Sequence, residues 1–213
     1  MMEFLSPGRY VDSDHPAVVE FARQHVKGSS DVERAVSLYY AVRDGIRYNP
    51  FLDFSRDTAF QGSKCLETGE GFCIGKAALL AACARAVGIP ARVGFADVKN
   101  HLTTPRLAER MGTDLFVYHG FTELWLEGKL VKATPAFNLD LCRKFRVKPL
   151  EFDGRNDSIF HPFDADDRRH MEYLRERGSF ADVPVTEIQR VFRESYPALY
   201  GLGKEAAKEA FSP

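Results

Sequence analysis

The stretch Gly69-Glu70-Gly71-Phe72-Cys73-Ile74-Gly75-Lys76 is the most informative segment of this chain, because an apolar run from Ala77 to Val87 follows it at once. The run carries almost no charge, so it predicts a helix that is apolar on nearly every side and therefore buried in the core. Gly88 and Pro90 supply the signals that end such a helix. Cys73 is thereby predicted to lie in the first turn of a buried helix.

A cysteine at the start of a helix is well placed for nucleophilic chemistry. The unpaired backbone N–H groups and the helix dipole favour a thiolate there, so the pKa can fall well below the value of about 8.5 for a free cysteine. We therefore interpret Cys73 as a candidate nucleophile. Taken alone, the residue also fits a small apolar filler of the core, which is a common role for a free cysteine.

A histidine lies in the first strand of a predicted β-hairpin. Residues 115–126 are aromatic and apolar enough for a strand, Glu127-Gly128-Lys129 supplies a turn, and residues 130–134 return. In either register that a two-residue turn allows, His119 shares a face with three residues of the return segment. These are Thr134, Ala136 and Asn138. Together with the upstream cysteine, His119 becomes the expected base of a Cys/His dyad.

These segments resemble the transglutaminase-like superfamily, which is related to papain-type cysteine enzymes. Residues 40–48 resemble the helix and Ile-x-Tyr segment that precede the catalytic region of that family. Residues 71–92 resemble its nucleophile helix with the Gly-Ile-Pro-Ala-Arg ending, and residues 118–123 resemble its histidine strand, although Phe121 stands where Trp is more usual. The resemblance implies a bacterial member with an α+β fold. In that fold the nucleophile helix packs on an antiparallel sheet, with extra helices at both ends of the chain.

The third catalytic position departs from the family pattern. The family typically has Asp in an Asp-Pro pair at the end of the return strand, and Thr134-Pro135 stands there in this chain. A hydroxyl can accept the imidazole N–H but cannot stabilise the imidazolium by charge. Asn138 would give a Cys-His-Asn arrangement if the strand continues through Pro135. Thr134 and Asn138 are therefore alternatives, and Asp140, beyond the expected strand end, is a further candidate.

The resemblance implies acyl transfer through a thioester on Cys73, without a cofactor and on a peptide or protein amide. Water as acceptor gives a protease, amidase or deamidase, whereas a lysine gives a crosslink. We expect hydrolysis, with protein-glutamine transglutaminase as the alternative. A non-catalytic binding module is a second alternative, because the third catalytic position is altered. An arylamine N-acetyltransferase is disfavoured because the chain lacks Arg-Gly-Gly before the cysteine and Asp after the histidine.

Composition predicts one ordinary globular domain over residues 1–213. The chain is 45% hydrophobic and 28% charged, and its formal net charge is −1. This balance gives no electrostatic reason to expect nucleic acid or an anionic membrane as a partner. The sequence shows no signal peptide and no run long enough to span a membrane, so we expect a cytoplasmic protein.

The four cysteines match no Cys-x-x-Cys zinc arrangement, so reduced thiols are expected. A regulatory disulfide between Cys65 and Cys73 is the alternative. Residues 161–170 contain two histidines and three aspartates. We interpret them as a loop that leads into a helix with an acidic first turn, rather than as a metal site.

Four further segments complete the prediction. Residues 49–70 are expected to form a long loop that leads to the nucleophile. Residues 91–98 are expected to form the first sheet strand. Two short helices are expected near residues 166–177 and 184–195, covering an edge or a face of the sheet.

Overall fold

The structure is a computed structural model that describes residues 2–100, 109, 111–159 and 171–197. The helices are α1 (Pro16–His25), α2 (Asp31–Gly45), α3 (Gly62–Thr68), α4 (Cys73–Ala86), α5 (Leu139–Phe145) and α6 (Val185–Ser195), with short 3-10 helices at Met2–Phe4 and Asp57–Phe60. The strands are β1 (Arg47–Tyr48), β2 (Glu70–Gly71), β3 (Ala91–Asn100), β4 (Leu115–Leu126), β5 (Lys129–Ala133) and β6 (Met171–Phe180).

The main sheet is antiparallel and has four strands in the order β5-β4-β3-β6. Leu126 pairs with Lys129 across a turn in which Glu127 and Gly128 both have positive φ, at 48° and 83°. Two successive residues with positive φ are typical of the mirror-image turns that match the twist of a hairpin. The predicted hairpin is confirmed, with its turn at Glu127-Gly128.

Helix α4 is the core helix that the sequence predicts. Every residue from Cys73 to Arg85 is buried. The helix packs on β4, where the Thr122 hydroxyl donates to the Ala77 carbonyl at 2.8 Å. The α+β fold with a cysteine helix on an antiparallel sheet is therefore confirmed, and helices α1 and α6 flank that core in sequence.

Lys76 is a fully buried lysine on α4, one turn after the cysteine. Its Nζ donates to the carbonyl of Arg43 at 2.8 Å and to that of Ile46 at 2.6 Å. These carbonyls lie in the last turn of α2 and just beyond it, where a helix has acceptors without partners inside the helix. Lys76 therefore joins α4 to the end of α2 and to the start of β1.

Two of the predicted elements are wrong. Residues 171–180 form the strand β6 rather than part of a helix over 166–177, and residues 166–170 lie outside the described part of the chain. The Glu and Arg residues that favour a helix there are accommodated because β6 is an edge strand with mostly exposed side chains. Residues 49–70 are not one long loop, since they contain Asp57–Phe60, α3 and β2.

The return strand also ends earlier than the Asn138 hypothesis requires. Strand β5 stops at Ala133, just before Thr134 and Pro135, and Asn138 is the N-cap residue of α5. Proline has no N–H to donate to a strand neighbour, which explains the stop. The predictions for residues 91–98 and 184–195 are confirmed by β3 and α6. None of the helices in the described residues combines the length and apolar character that a membrane span needs.

Burial of Lys76 predicts a pH dependence of stability. Burial lowers the pKa of Lys76 from 10.5 to about 7. Between these values the unfolded chain binds more protons than the folded chain, so the free energy of unfolding should rise with pH, by at most about 1.4 kcal/mol per pH unit. Urea unfolding between pH 7 and 10 should show this rise in the wild type and lose it in Lys76→Met.

The matched control is Lys64→Met, which removes a lysine whose side chain is 37% exposed on the neighbouring helix α3. This variant should keep the wild-type dependence on pH. Parallel curves for the wild type and Lys76→Met would show that the lysine does not titrate in this range.

Candidate active site

Cys73 and His119 line the same small cavity, whose volume is about 40 Å³. Cys73 comes from the first turn of α4 and His119 from the middle of β4, and their exposed fractions are 6% and 3%. The other described lining residues are mainly aromatic or apolar: Tyr48, Pro50, Phe54, Phe72, Met111, Phe116, Val117, Phe192 and Tyr196. The structure thus brings the predicted nucleophile and base together in apolar surroundings.

The thiol of Cys73 is under two opposing influences. Burial raises its pKa to about 11, while hydrogen bonding from the backbone of Gly120, Ile74 and Cys73 itself favours the thiolate. The sequence predicts a lowered pKa from the helix start alone. That expectation is wrong in direction because loss of water outweighs the backbone groups. A thiolate near neutral pH therefore needs a cation beside it.

The first turn of α4 lies unusually close to β4. A methyl group added to Gly120 would come within 2.9 Å of the Ile74 Cα and 3.2 Å of the Ile74 nitrogen. Both are backbone atoms, so they cannot move aside as a flexible side chain would. Glycine is therefore required at residue 120, directly after the histidine, for the cysteine turn to reach the strand.

The backbone before His119 is irregular. Tyr118 has φ of 54°, in the left-handed region that costs a non-glycine residue about 1–2 kcal/mol. The register between β3 and β4 shifts there, since Ala96 pairs with His119 but Val98 pairs with Phe116. His119 therefore directly follows a β-bulge, a feature that often occurs beside active sites and changes the direction of a side chain.

Thr134 and Asn138 have other partners. The Thr134 hydroxyl donates to the Ile159 carbonyl at 3.0 Å. The Asn138 Oδ1 accepts the Tyr48 amide at 3.1 Å. Neither is among the described residues that line the cavity, although Tyr48 is. Asp140 is exposed and lies 3.7 Å from Arg143.

Two tyrosines complete the cavity. Tyr48 lies within the Ile-x-Tyr segment, so the sequence carried a signal for it. Tyr196 follows α6, and its hydroxyl accepts the Val117 amide at 2.6 Å and donates to the Leu115 carbonyl at 2.8 Å. Burial raises the pKa of both phenols, and proximity to Cys73 raises it further, so both stay neutral. No pattern near residue 196 indicated this contact.

All four cysteines are free and buried in the structure. The Cys65 sulfur lies under the start of α4, where methyl groups added to Gly71 or Gly75 would meet it at 2.7 Å and 2.9 Å. The disulfide between Cys65 and Cys73 stays an untested alternative. Residues 161–170, interpreted above as a loop and helix rather than a metal site, lie outside the described residues.

Comparison with known families identifies the family of this chain. A sequence model described as the transglutaminase-like superfamily matches residues 19–135, which include both Cys73 and His119. The chain belongs to the transglutaminase-like superfamily. No curated protein matches the chain.

Two solved structures resemble this superfamily member. One is a proposed cysteine protease from Cytophaga hutchinsonii, with 16% identity and a TM-score of 0.48, covering 84% of this chain and 53% of that one. The other is a proposed protease from Parabacteroides distasonis, with 18% identity and a TM-score of 0.39, covering 55% and 22%. The chain therefore spans about half the length of the first and about a fifth of the second.

The close approach at Gly120 predicts a specific defect. Gly120→Ala should push the first turn of α4 away from β4 and lower the free energy of unfolding by about 1–3 kcal/mol. Urea unfolding measures this loss. Gly45→Ala is the control, since a methyl group there meets nothing within 4 Å. Equal stability of the two variants would contradict the contact.

Proposed function

We propose that this protein is a cysteine-dependent enzyme that cleaves an amide or peptide bond through a thioester. The observation that carries the proposal is the shared cavity of Cys73 and His119, formed by a helix N-terminus and a sheet strand. A nucleophile beside a base at a helix start is the arrangement that thiol catalysis requires. The match to the transglutaminase-like superfamily over residues 19–135 supports it.

In the proposed reaction, His119 takes the proton of the Cys73 thiol and the sulfur attacks the carbonyl carbon of the substrate. The Cys73 backbone N–H then stabilises the oxyanion of the tetrahedral intermediate. When the C–N bond breaks, the imidazolium gives its proton to the departing amine. Water attacks the resulting thioester, and the acid product and the free thiol are released.

The electrostatics of the cavity support His119 as a partner of Cys73 rather than a bystander. Burial raises the pKa of the thiol to about 11, although backbone hydrogen bonds favour the thiolate. In an apolar cavity, a thiolate and an imidazolium in contact stabilise each other, since charges interact more strongly where water is excluded. Transfer of one proton between them produces the nucleophile without exposing either charge alone.

Thr134 and Asn138 remain candidates for the orientation of His119. Their observed contacts favour an indirect role. The Thr134 hydroxyl bonds to the Ile159 carbonyl, and the Asn138 side chain bonds to the Tyr48 amide. Tyr48 forms one wall of the cavity. We therefore assign them to positioning rather than to chemistry.

The second candidate is a binding module that has kept the fold without catalysis. Two observations favour it: Thr134 stands at the position of the family carboxylate, and burial raises the pKa of Cys73. Reactivity of the thiol distinguishes the two candidates directly.

Cys73 should react with iodoacetamide at pH 7 faster than the other three cysteines. Cys142 is an internal control because burial raises the pKa of both thiols to about 11. An excess reactivity of Cys73 over Cys142 then reflects either its place on the cavity or its neighbour His119, and the His119 variant separates the two. His119→Ala should slow Cys73 labelling by about 10²-fold, within the usual contribution of a general base.

Labelling of each cysteine is measured by mass spectrometry after timed quenching. His25→Ala is the control, since that histidine lies on α1 and contacts the Phe21 carbonyl. Equal labelling of Cys73 and Cys142, unchanged in His119→Ala, would favour the binding module.

Water should resolve the thioester in preference to an amine. Glutamine-containing peptides incubated with the protein and a labelled primary amine should release ammonia or a cleaved peptide without taking up the label. Both products should vanish in Cys73→Ala. Label uptake that depends on Cys73 would instead identify a transglutaminase, and no turnover of any amide would support the binding module.

A further inference from the structure

A largely buried ion pair joins the central strand β3 to the edge strand β6. Arg177 on β6 donates through Nε to both oxygens of Asp97 on β3, at 3.0 Å and 2.9 Å, and a second nitrogen lies 2.7 Å from Oδ2. The exposed fractions of the two side chains are only 19% and 8%. A largely buried pair of this kind contributes little net stability, because desolvation offsets the attraction.

Asp97 lies on β3 where the pairing with both neighbouring strands, β4 and β6, is irregular. On the β4 side the register shifts between Ala96 and Val98. On the β6 side it shifts between Phe95 and Ala96 and again between Asp97 and Val98. Where the register shifts, a backbone N–H of β4 can donate to the Asp97 side chain instead of to the neighbouring strand.

That donor belongs to the residue before the proposed base. Asp97 Oδ1 accepts the Tyr118 amide at 3.1 Å, and the Arg177 guanidinium lies over the Tyr118 ring at 4.9 Å. Tyr118 is the residue held at φ of 54°. The ion pair therefore contacts both the backbone and the side chain of the strained residue, and His119 follows directly.

We infer that Asp97 and Arg177 are positioning residues that hold the bulge at Tyr118 and thereby set the direction of His119 toward Cys73. The inference rests on the proposed role of His119 and goes beyond it, because neither residue touches the cavity. Asp97 supplies the acceptor that stabilises the left-handed backbone. Arg177, on the edge strand β6, fixes the orientation of the Asp97 carboxylate and lies over the ring of Tyr118.

The chain offers a matched control pair. Arg92 of β3 and Glu123 of β4, the two strands that carry Asp97 and Tyr118, also form an ion pair, with side chains that are 27% and 6% exposed. They face each other in regular register, away from the bulge. Loss of this pair tests what breaking a buried ion pair does to the fold without disturbing Tyr118.

The experiment measures the rate of Cys73 alkylation by iodoacetamide from pH 5 to 10, with the thermal midpoint of each variant. Asp97→Ala should reduce the rate at pH 7 by about 10-fold or more, because displacement of a catalytic group by about 1 Å can cost 10²-fold. The high-pH rate, which needs no base, should change little. Asp97→Asn keeps an acceptor for the Tyr118 amide, so its loss should be smaller.

A rescue separates positioning from general stability. Glycine adopts positive φ without strain, so Tyr118→Gly added to Asp97→Ala should recover part of the pH 7 rate although it removes buried packing. Arg177→Lys gives a second measurement if Asp97→Ala does not fold. Glu123→Ala should keep the wild-type pH profile even if its thermal midpoint falls.

Equal loss of the pH 7 rate in Asp97→Ala and Glu123→Ala, or no loss in Asp97→Ala, would overturn the inference while leaving the proposed function intact. A wild-type rate that does not depend on His119 would overturn both. These two failures are distinguished by the His119→Ala profile measured in the same series.

Discussion

The contact between the first turn of α4 and Gly120 is the constraint on which the candidate site depends. Cys73 reaches β4 only because residue 120 has no side chain, and Ile74 fills the space that a methyl group would take. Thr122, two residues further on the same face of the strand, donates to α4 again at Ala77. Helix α4 therefore contacts the strand at two points, Gly120 and Thr122, and His119 directly precedes the first of them.

The apolar packing that forms the site also disfavours the thiolate that the proposed chemistry needs. A helix start in water would lower the pKa of a thiol, yet the aromatic walls around Cys73 exclude the solvent on which a thiolate depends. The result is a thiol whose pKa of about 11 is unfavourable for catalysis unless the imidazole shares the charge. An apolar cavity therefore makes the placement of His119 more important than it would be at an exposed site.

The sequence predicted the elements whose signals are local. The apolar run after Cys73 and the Glu127-Gly128 turn each specify their structure within a few residues, and both are confirmed. The strand β6 was missed because Glu172, Arg175 and their neighbours favour a helix by propensity, and only pairing with β3 overrides it. Tyr196 and the pair of Asp97 and Arg177 were missed because their partners are distant in sequence.

The cavity wall at Tyr48 is attached to the nucleophile helix through several backbone contacts. Its amide is held by Asn138, and Tyr48 pairs with Gly71 of β2 just before the cysteine. The carbonyl of Ile46, two residues earlier, is held by Lys76 of α4. Helix α4 therefore carries the nucleophile Cys73 and also fixes the cavity wall at Tyr48. Because Lys76 lies one turn after Cys73, any shift of α4 that moved the thiol would also move that wall. Burying the Lys76 amine costs free energy of folding. Its two short hydrogen bonds to carbonyls offset that cost and explain why the core tolerates a lysine.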